Sequence, residues 1–153
     1  MSSTQWKPNT TVAAIIERDG RFLMVREQTD DGARLNQPAG HLEYGETLLQ
    51  AVVREAREET AHAFTPRALV GIYLADKPGS DITYLRFAFC GDAGAHDPTQ
   101  RLDDGILAAE WLSADEIMAS ANLWRSPLVG RCLQDYLAGQ RASLDLIHHH
   151  LPG

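Results

Sequence analysis

The stretch from Gly40 to Glu59, GHLEYGETLLQAVVREAREE, limits the possible folds of this chain more than any other. A Pro/Gly-punctuated turn, Gln37-Pro38-Ala39-Gly40-His41-Leu42-Glu43, and a second glycine, Gly45, lead into a run with helical periodicity. At about 100° per residue with Leu48 at zero, Val52, Ala56, Leu49 and Val53 fall between about 40° and 140°. They form one apolar stripe of the kind that packs on a core. Glu59 falls at about 20°, inside the stripe's edge, with Glu55 at about 340° and Glu58 at about 280°. Arg54, Gln50 and Arg57 take the opposite side. Glu46 is expected to open the helix, where negative charge is favourable.

Three glutamates in these positions do not serve the helix. Like charges three and four residues apart repel by about 0.2–0.5 kcal/mol per pair, and the last turns of a helix favour cations. Glu59 is expected to be partly buried, so it must be paired, protonated or bound to a metal. Arg54 can reach Glu58 at i+4 but points away from Glu59. An ordinary ion-paired helix is the alternative; the glycine-rich turn before it favours a cation site.

The order Gly40, five residues, Glu46, seven residues, Arg54-Glu55, two residues, Glu58-Glu59 resembles the Nudix box, here residues 40–62. Two positions depart from it. Ala61 stands where the family usually has the glycine that ends the helix in a left-handed conformation, and His62 stands where an aliphatic residue is usual. Alanine enters that conformation less readily, so the helix is expected to run on for a turn or to stop by another route before Pro66. From about Thr10 to Ile147 the segments NQPAGHLE, TYLRFAF, WLSADEI, RSPLV and CLQDYLAGQRASLDLI are similar to the bacterial NudJ subgroup of Nudix phosphatases.

The resemblance implies an α+β fold, the Nudix α/β/α sandwich with a curved mixed sheet between helices. It also implies one domain over residues 1–153, with roughly eight N-terminal and six C-terminal residues peripheral. It implies Mg2+ as cofactor, with Mn2+ as a substitute. The ligands would be Glu55, Glu58, Glu59 and the Gly40 carbonyl, with Glu58 or Glu59 orienting the attacking water and Arg54 positioning the carboxylates. Glu46 is left between helix stabilisation, a salt bridge to Arg54 and a catalytic part. The distal acid of many relatives falls at Gly105, so Asp103 or Asp104 would replace it; a plain polar turn is the alternative. The substrate implied is a small phosphorylated metabolite, a nucleoside di- or triphosphate or a thiamine-precursor pyrophosphate, cleaved with release of orthophosphate. Pyrophosphate release from a nucleoside triphosphate is the second reading, and a non-catalytic ligand sensor the third.

Weaker candidates lie elsewhere. Arg86, Tyr84 and Ile82 alternate onto one strand face. Such a face either holds a phosphate and stacks a base or makes a structural salt bridge around a core tyrosine. His41 either stabilises its loop or contacts substrate. Arg125 precedes Ser126-Pro127 at a helix start, which receives an anion or is simply capped. His148, His149 and His150 either bind metal loosely or form a solvated tail, with no catalytic part.

A chain of 153 residues with 44% hydrophobic content has the size of one domain with its own core. Its net charge of −7 argues against nucleic acid as partner. Cys90 and Cys132 read as buried free thiols. MSSTQWKPNT has no apolar leader region and no run is long enough for a membrane span, so a cytoplasmic monomer or homodimer is expected. Strands are expected at 11–17, 22–26, 68–75, 82–90 and 106–112, with a polar loop over 91–105. Helices are expected to start at Ser113 and Ser126, the second presenting Leu128, Cys132, Leu133, Tyr136 and Leu137 on one side.

Overall fold

The computed structural model describes residues 4–152, so Met1, Ser2 and Ser3 of the expected peripheral N-terminal segment, and Gly153 of the C-terminal one, lie outside the described residues. The order of elements is β1 (Asn9–Arg18), β2 (Arg21–Thr29), β3 (Gly32–Asn36), β4 (Ala39–His41), α1 (Leu48–Thr60), β5 (His62–Asp76), β6 (Thr83–His96), β7 (Ile106–Ser113), α2 (Ala114–Ala119) and α3 (Leu128–Leu137). The seven strands run β3-β2-β1-β6-β5, with β4 on β1 and β7 on β2. β1 and β6 are parallel and the other pairs antiparallel, so the sheet is mixed. One flank of β1 is shared: β4 pairs with Thr11–Ala13, and β2 pairs only with Glu17 and Arg18.

β1 explains the layers. Val12 to Ile16 are buried without interruption, although successive strand side chains point to opposite faces. Both faces must therefore be covered. Val12, Ala14 and Ile16 pack with Leu23, Phe89 and the Ala51, Val52 and Ala56 stripe of α1. Ala13 and Ile15 pack with Met24, Ala88, Ile117 of α2, and Val129, Cys132 and Leu133 of α3. This is the expected sandwich of a mixed sheet between helices. Cys90 and Cys132 are buried and free, and no helix among the described residues is long and apolar enough to cross a membrane.

Several local expectations are corrected. Glu46 does not open the helix: α1 begins at Leu48, with Thr47 as N-cap in a reciprocal capping box with Gln50. The helix does not run on past the box either. It ends at Thr60, and Ala61 itself adopts the left-handed conformation at φ 58°. Long-range contacts hold it there, since the Ala61 carbonyl accepts from the Asp97 N–H at 2.9 Å and the residue is buried. The polar loop expected over 91–105 shrinks to 97–105. β6 continues to His96 because β5 begins at His62 and pairs with it throughout, register shifts absorbing Pro66 on this edge strand. β4 arises inside the stretch expected to be a turn, and β3 where no strand was expected. β6 starts at Thr83, which leaves Ile82 outside the strand. On α3, Val129 is buried in place of Leu137, which is exposed.

His62 fits where an aliphatic residue is usual because its ring is buried as a flat surface. It stacks on His96 with centroids 4.4 Å apart and meets the edge of Trp111 at 5.8 Å. Its Nδ1 lies 2.9 Å from the Thr60 carbonyl, and burial holds its pKa below the ordinary imidazole value.

Candidate active site

The box helix and β4 meet at the mouth of a cavity of about 530 Å3, within the usual range for small-molecule sites. Its lining includes Gly40, His41, Glu55, Glu59 and Asp103, together with Tyr84, Arg86, Asn36 and Arg125. Of the sequence candidates, Arg54, Glu46 and Glu58 stand beside it rather than in its lining.

Arg54 is a hub. Its Nε and Nη2 donate to Glu46 at 3.0 and 2.6 Å, its Nη1 to Glu55 at 2.7 Å and to Glu58 at 2.9 Å, and its Nη2 also to the His41 carbonyl at 2.9 Å. The rigid fork of a guanidinium suits such multiple pairing. Glu46, left open by the sequence, is thus a salt-bridge partner of Arg54; that hydrogen bond holds its carboxyl below the usual range. The same partnership raises the pKa of Arg54. Glu55 is pushed up chiefly by burial, partly offset by Arg54.

Glu59 lies deepest. It is 6% exposed, as its place within the apolar stripe predicts. Its hydrogen-bond partner is the Ala39 N–H of β4 at 2.9 Å. Burial pushes its pKa up to about 9, and the neighbouring Glu55, Glu27 and Asp103 add to the rise. Gly40 is required by close approach: a Cβ there would fall on the Glu55 carboxylate.

The distal segment is tied to the C-terminal end of α1. The Asp103 N–H donates to the Glu58 carbonyl at 2.9 Å, and Gln100 Nε2 to the Arg57 carbonyl at 2.6 Å. The first satisfies a carbonyl that the last turn leaves open, the second joins the Ala61 N–H on the Arg57 carbonyl, and together they bring Asp103 to the cavity. Asp104 lies outside the cavity lining, its side chain 94% exposed next to Arg101. His41 lies with its ring centroid 6.4 Å from that of Tyr84. Arg125 pairs with Glu27 at 3.2 Å, and its N–H donates to the Leu35 carbonyl. The histidine tail reaches the start of α1 instead, where the Leu48 N–H donates to His149 Nε2.

Sequence reading missed Glu27, Asn36 and Gln37. Asn36 and Gln37 are 7% and 2% exposed, and their amide oxygens accept from Arg86. Their one signal was two adjacent amides before Pro38.

The donor set fits a hard divalent cation. Glu55, Glu58 and Glu59 offer only oxygen, and Arg54 engages one oxygen each of Glu55 and Glu58. Glu59 is a buried carboxyl that needs a proton or a cation. Among the described residues no three His, Cys, Asp or Glu side chains are grouped closely enough to hold a metal ion by themselves.

Similarity to known proteins agrees with this geometry. A family model for the NUDIX domain matches residues 6–132. Phosphatase NudJ of Escherichia coli K12 is 40% identical over 142 residues, covering 93% of this chain and 92% of that protein, and NudJ of Shigella flexneri matches equally. A NUDIX hydrolase structure from Nitrosomonas europaea superposes with a TM-score of 0.92 at 48% identity, covering 94% of this chain and 98% of the other. A UDP-X diphosphatase at 19% identity and TM-score 0.73 shares the fold. The glutamate-lined helix, the glycine against which it packs and the extent of these matches lead to one conclusion: this chain belongs to the Nudix hydrolase family, as a hydrolase of phosphoanhydrides that resembles the NudJ phosphatases.

Proposed function

We propose that this protein is a magnesium-dependent phosphatase that removes orthophosphate from a nucleoside di- or triphosphate or a related organic pyrophosphate. The observation that carries the reading is Glu59: a carboxyl buried to 6% exposure, its pKa pushed up to about 9, in the lining of the cavity with Glu55 and Asp103. Such a group exchanges its proton for a cation at neutral pH. Glu55, Glu58, Glu59 and the Gly40 carbonyl are the ligands. A divalent cation held there supplies charge neutralisation of the phosphate oxygens and acidification of water; Mn2+ is the expected substitute.

The chain's own residues do the rest. Arg54 fixes Glu55 and Glu58 in place and draws Glu46 against them. Glu58, whose side chain is 37% exposed, is the most accessible carboxylate of the helix and orients water toward phosphorus. Asp103, anchored through its N–H to the same helix, is the distal acid. His41, Tyr84 and Arg86 contact the bound metabolite. Identity to proteins named phosphatase supports orthophosphate as product over pyrophosphate.

The test is a screen of nucleotides and thiamine-precursor pyrophosphates with magnesium, following orthophosphate and pyrophosphate separately. Orthophosphate is expected from the best substrate, and pyrophosphate from a nucleoside triphosphate would refute the regiochemistry. Glu58→Gln and Glu59→Gln should each lower kcat by about 10²–10⁴-fold with unchanged circular dichroism. Unchanged turnover would refute the catalytic assignment, and absence of turnover of every compound by the wild type would favour a ligand sensor.

A further inference from the structure

Metal binding uses the acidic end of the cavity. Its other end holds positive charge in an unusual setting. Arg86 is 6% exposed, yet its guanidinium is held by neutral groups: the Gln37 oxygen at 3.2 Å, the Asn36 oxygen at 3.1 Å and Cys132 Sγ at 3.8 Å. The two amides are locked in this orientation. Gln37 Nε2 donates to the Val129 carbonyl at 2.9 Å and Asn36 Nδ2 to Glu27 at 3.3 Å, so their oxygens must face Arg86. Glu27, the carboxylate of this network, is taken by Asn36 and by Arg125 at 3.2 Å.

A buried cation in a structural part is normally paired with a carboxylate. Here the sequence supplies rigid amide acceptors, and among the described residues no carboxylate pairs with Arg86 where it lines the cavity. The missing anion has to come from outside. Arg86 stands opposite Thr11, and Thr11 stands opposite His41 in the sheet. Two strand spacings, about 10 Å, thus separate the backbone at Arg86 from the backbone beside Gly40. That span suits two ends of one substrate better than two oxygens of one phosphate.

We propose that Arg86, oriented by Asn36 and Gln37 and assisted at the rim by Arg125, is a metal-independent receptor for a phosphate of the substrate other than the one attacked. The proposal rests on the reading of this cavity as the substrate site. Asn36 and Gln37 are positioning residues; Arg86 touches the ligand. The fork of the guanidinium accepts a phosphate through paired charge-assisted hydrogen bonds.

The probe is methylenediphosphonate, a non-hydrolysable diphosphate analogue, titrated calorimetrically in EDTA. Wild-type protein should bind it without metal, and Arg86→Gln should weaken binding by about 10- to 100-fold. Arg125→Gln, at the half-exposed rim, should cost about 2- to 5-fold. Arg86→Lys should fall between wild type and Arg86→Gln, and Glu59→Gln should bind at least as tightly as wild type. Absence of binding in EDTA, or Arg86→Gln binding as tightly as wild type, overturns the proposal. If Arg86→Gln does not fold, wild-type binding in EDTA and the Arg86→Lys and Arg125→Gln values decide it. None of these readings uses turnover, so failure here and failure of the magnesium-dependent reaction are separate results.

Discussion

At the rim of the cavity, Arg54 faces three carboxylates, Glu46, Glu55 and Glu58, all within 3.0 Å. In the interior, Glu59 has one backbone N–H and Arg86 two amide oxygens and a thiol. The two regions use the same residue types under different constraints. Rim charges are matched to one another, which lowers the pKa of Glu46 and raises that of Arg54, while burial still raises that of Glu55. Among the described residues the interior groups have neutral partners and no counter-charge, so burial dominates and Glu59 rises to about 9. Matched charges organise a site; desolvated unmatched ones hold ligands. In this molecule the deep acid waits for a cation and the deep base for an anion.

Breaking the rim should give the largest effect on the fold. Arg54→Gln strips the partner from three carboxylates at once and should cost about 2–4 kcal/mol in denaturant unfolding. It should also weaken divalent-metal affinity by about 10–100-fold. A loss confined to activity, with full stability, would mean the rim is not organised by this residue.

The interior should show itself in pH. The folded pKa of Glu59 lies above its ordinary value, so the folded state binds the proton more tightly than the unfolded one. Its contribution is complete below about 4.5 and is lost as pH rises toward about 9. Metal-free protein should therefore lose melting temperature across that window. Glu59→Gln should flatten the decline, and magnesium should flatten it in the wild type. Parallel wild-type and Glu59→Gln curves would remove the contrast between rim and interior.

The smallest effect concerns the end of the same helix. Ala61 occupies a left-handed conformation that glycine adopts without strain. Ala61→Gly should raise stability by about 0.5–1 kcal/mol by scanning calorimetry, and it should leave activity unchanged because all three box glutamates precede it.

What could be read from the sequence followed from local geometry. The angular position of Glu59 on α1 gave its burial, and i+4 spacing gave the Arg54–Glu58 pair. The alternation around β1 and β6 gave the strands but not their length, because the pairing of residues 62–66 with 91–96 is a long-range contact across Pro66. Ala61 was misread for a related reason: propensity disfavours its conformation, and a hydrogen bond from Asp97 overrides it. Asn36, Gln37 and Glu27 carry no pattern of their own. Asn36 and Gln37 reach Arg86, and Glu27 reaches Asn36, only because β1 holds β6 on one flank and β4 on the other and because α3 brings the Val129 carbonyl to Gln37 and Cys132 to Arg86.

The central claim is that Glu59 trades a proton for a divalent cation. Calorimetric titration of magnesium at pH 7.5, in buffers of different ionisation enthalpy, counts the protons released on binding. About one proton per protein is expected from the wild type and close to none from Glu59→Gln. Equal proton release from both proteins would contradict the account.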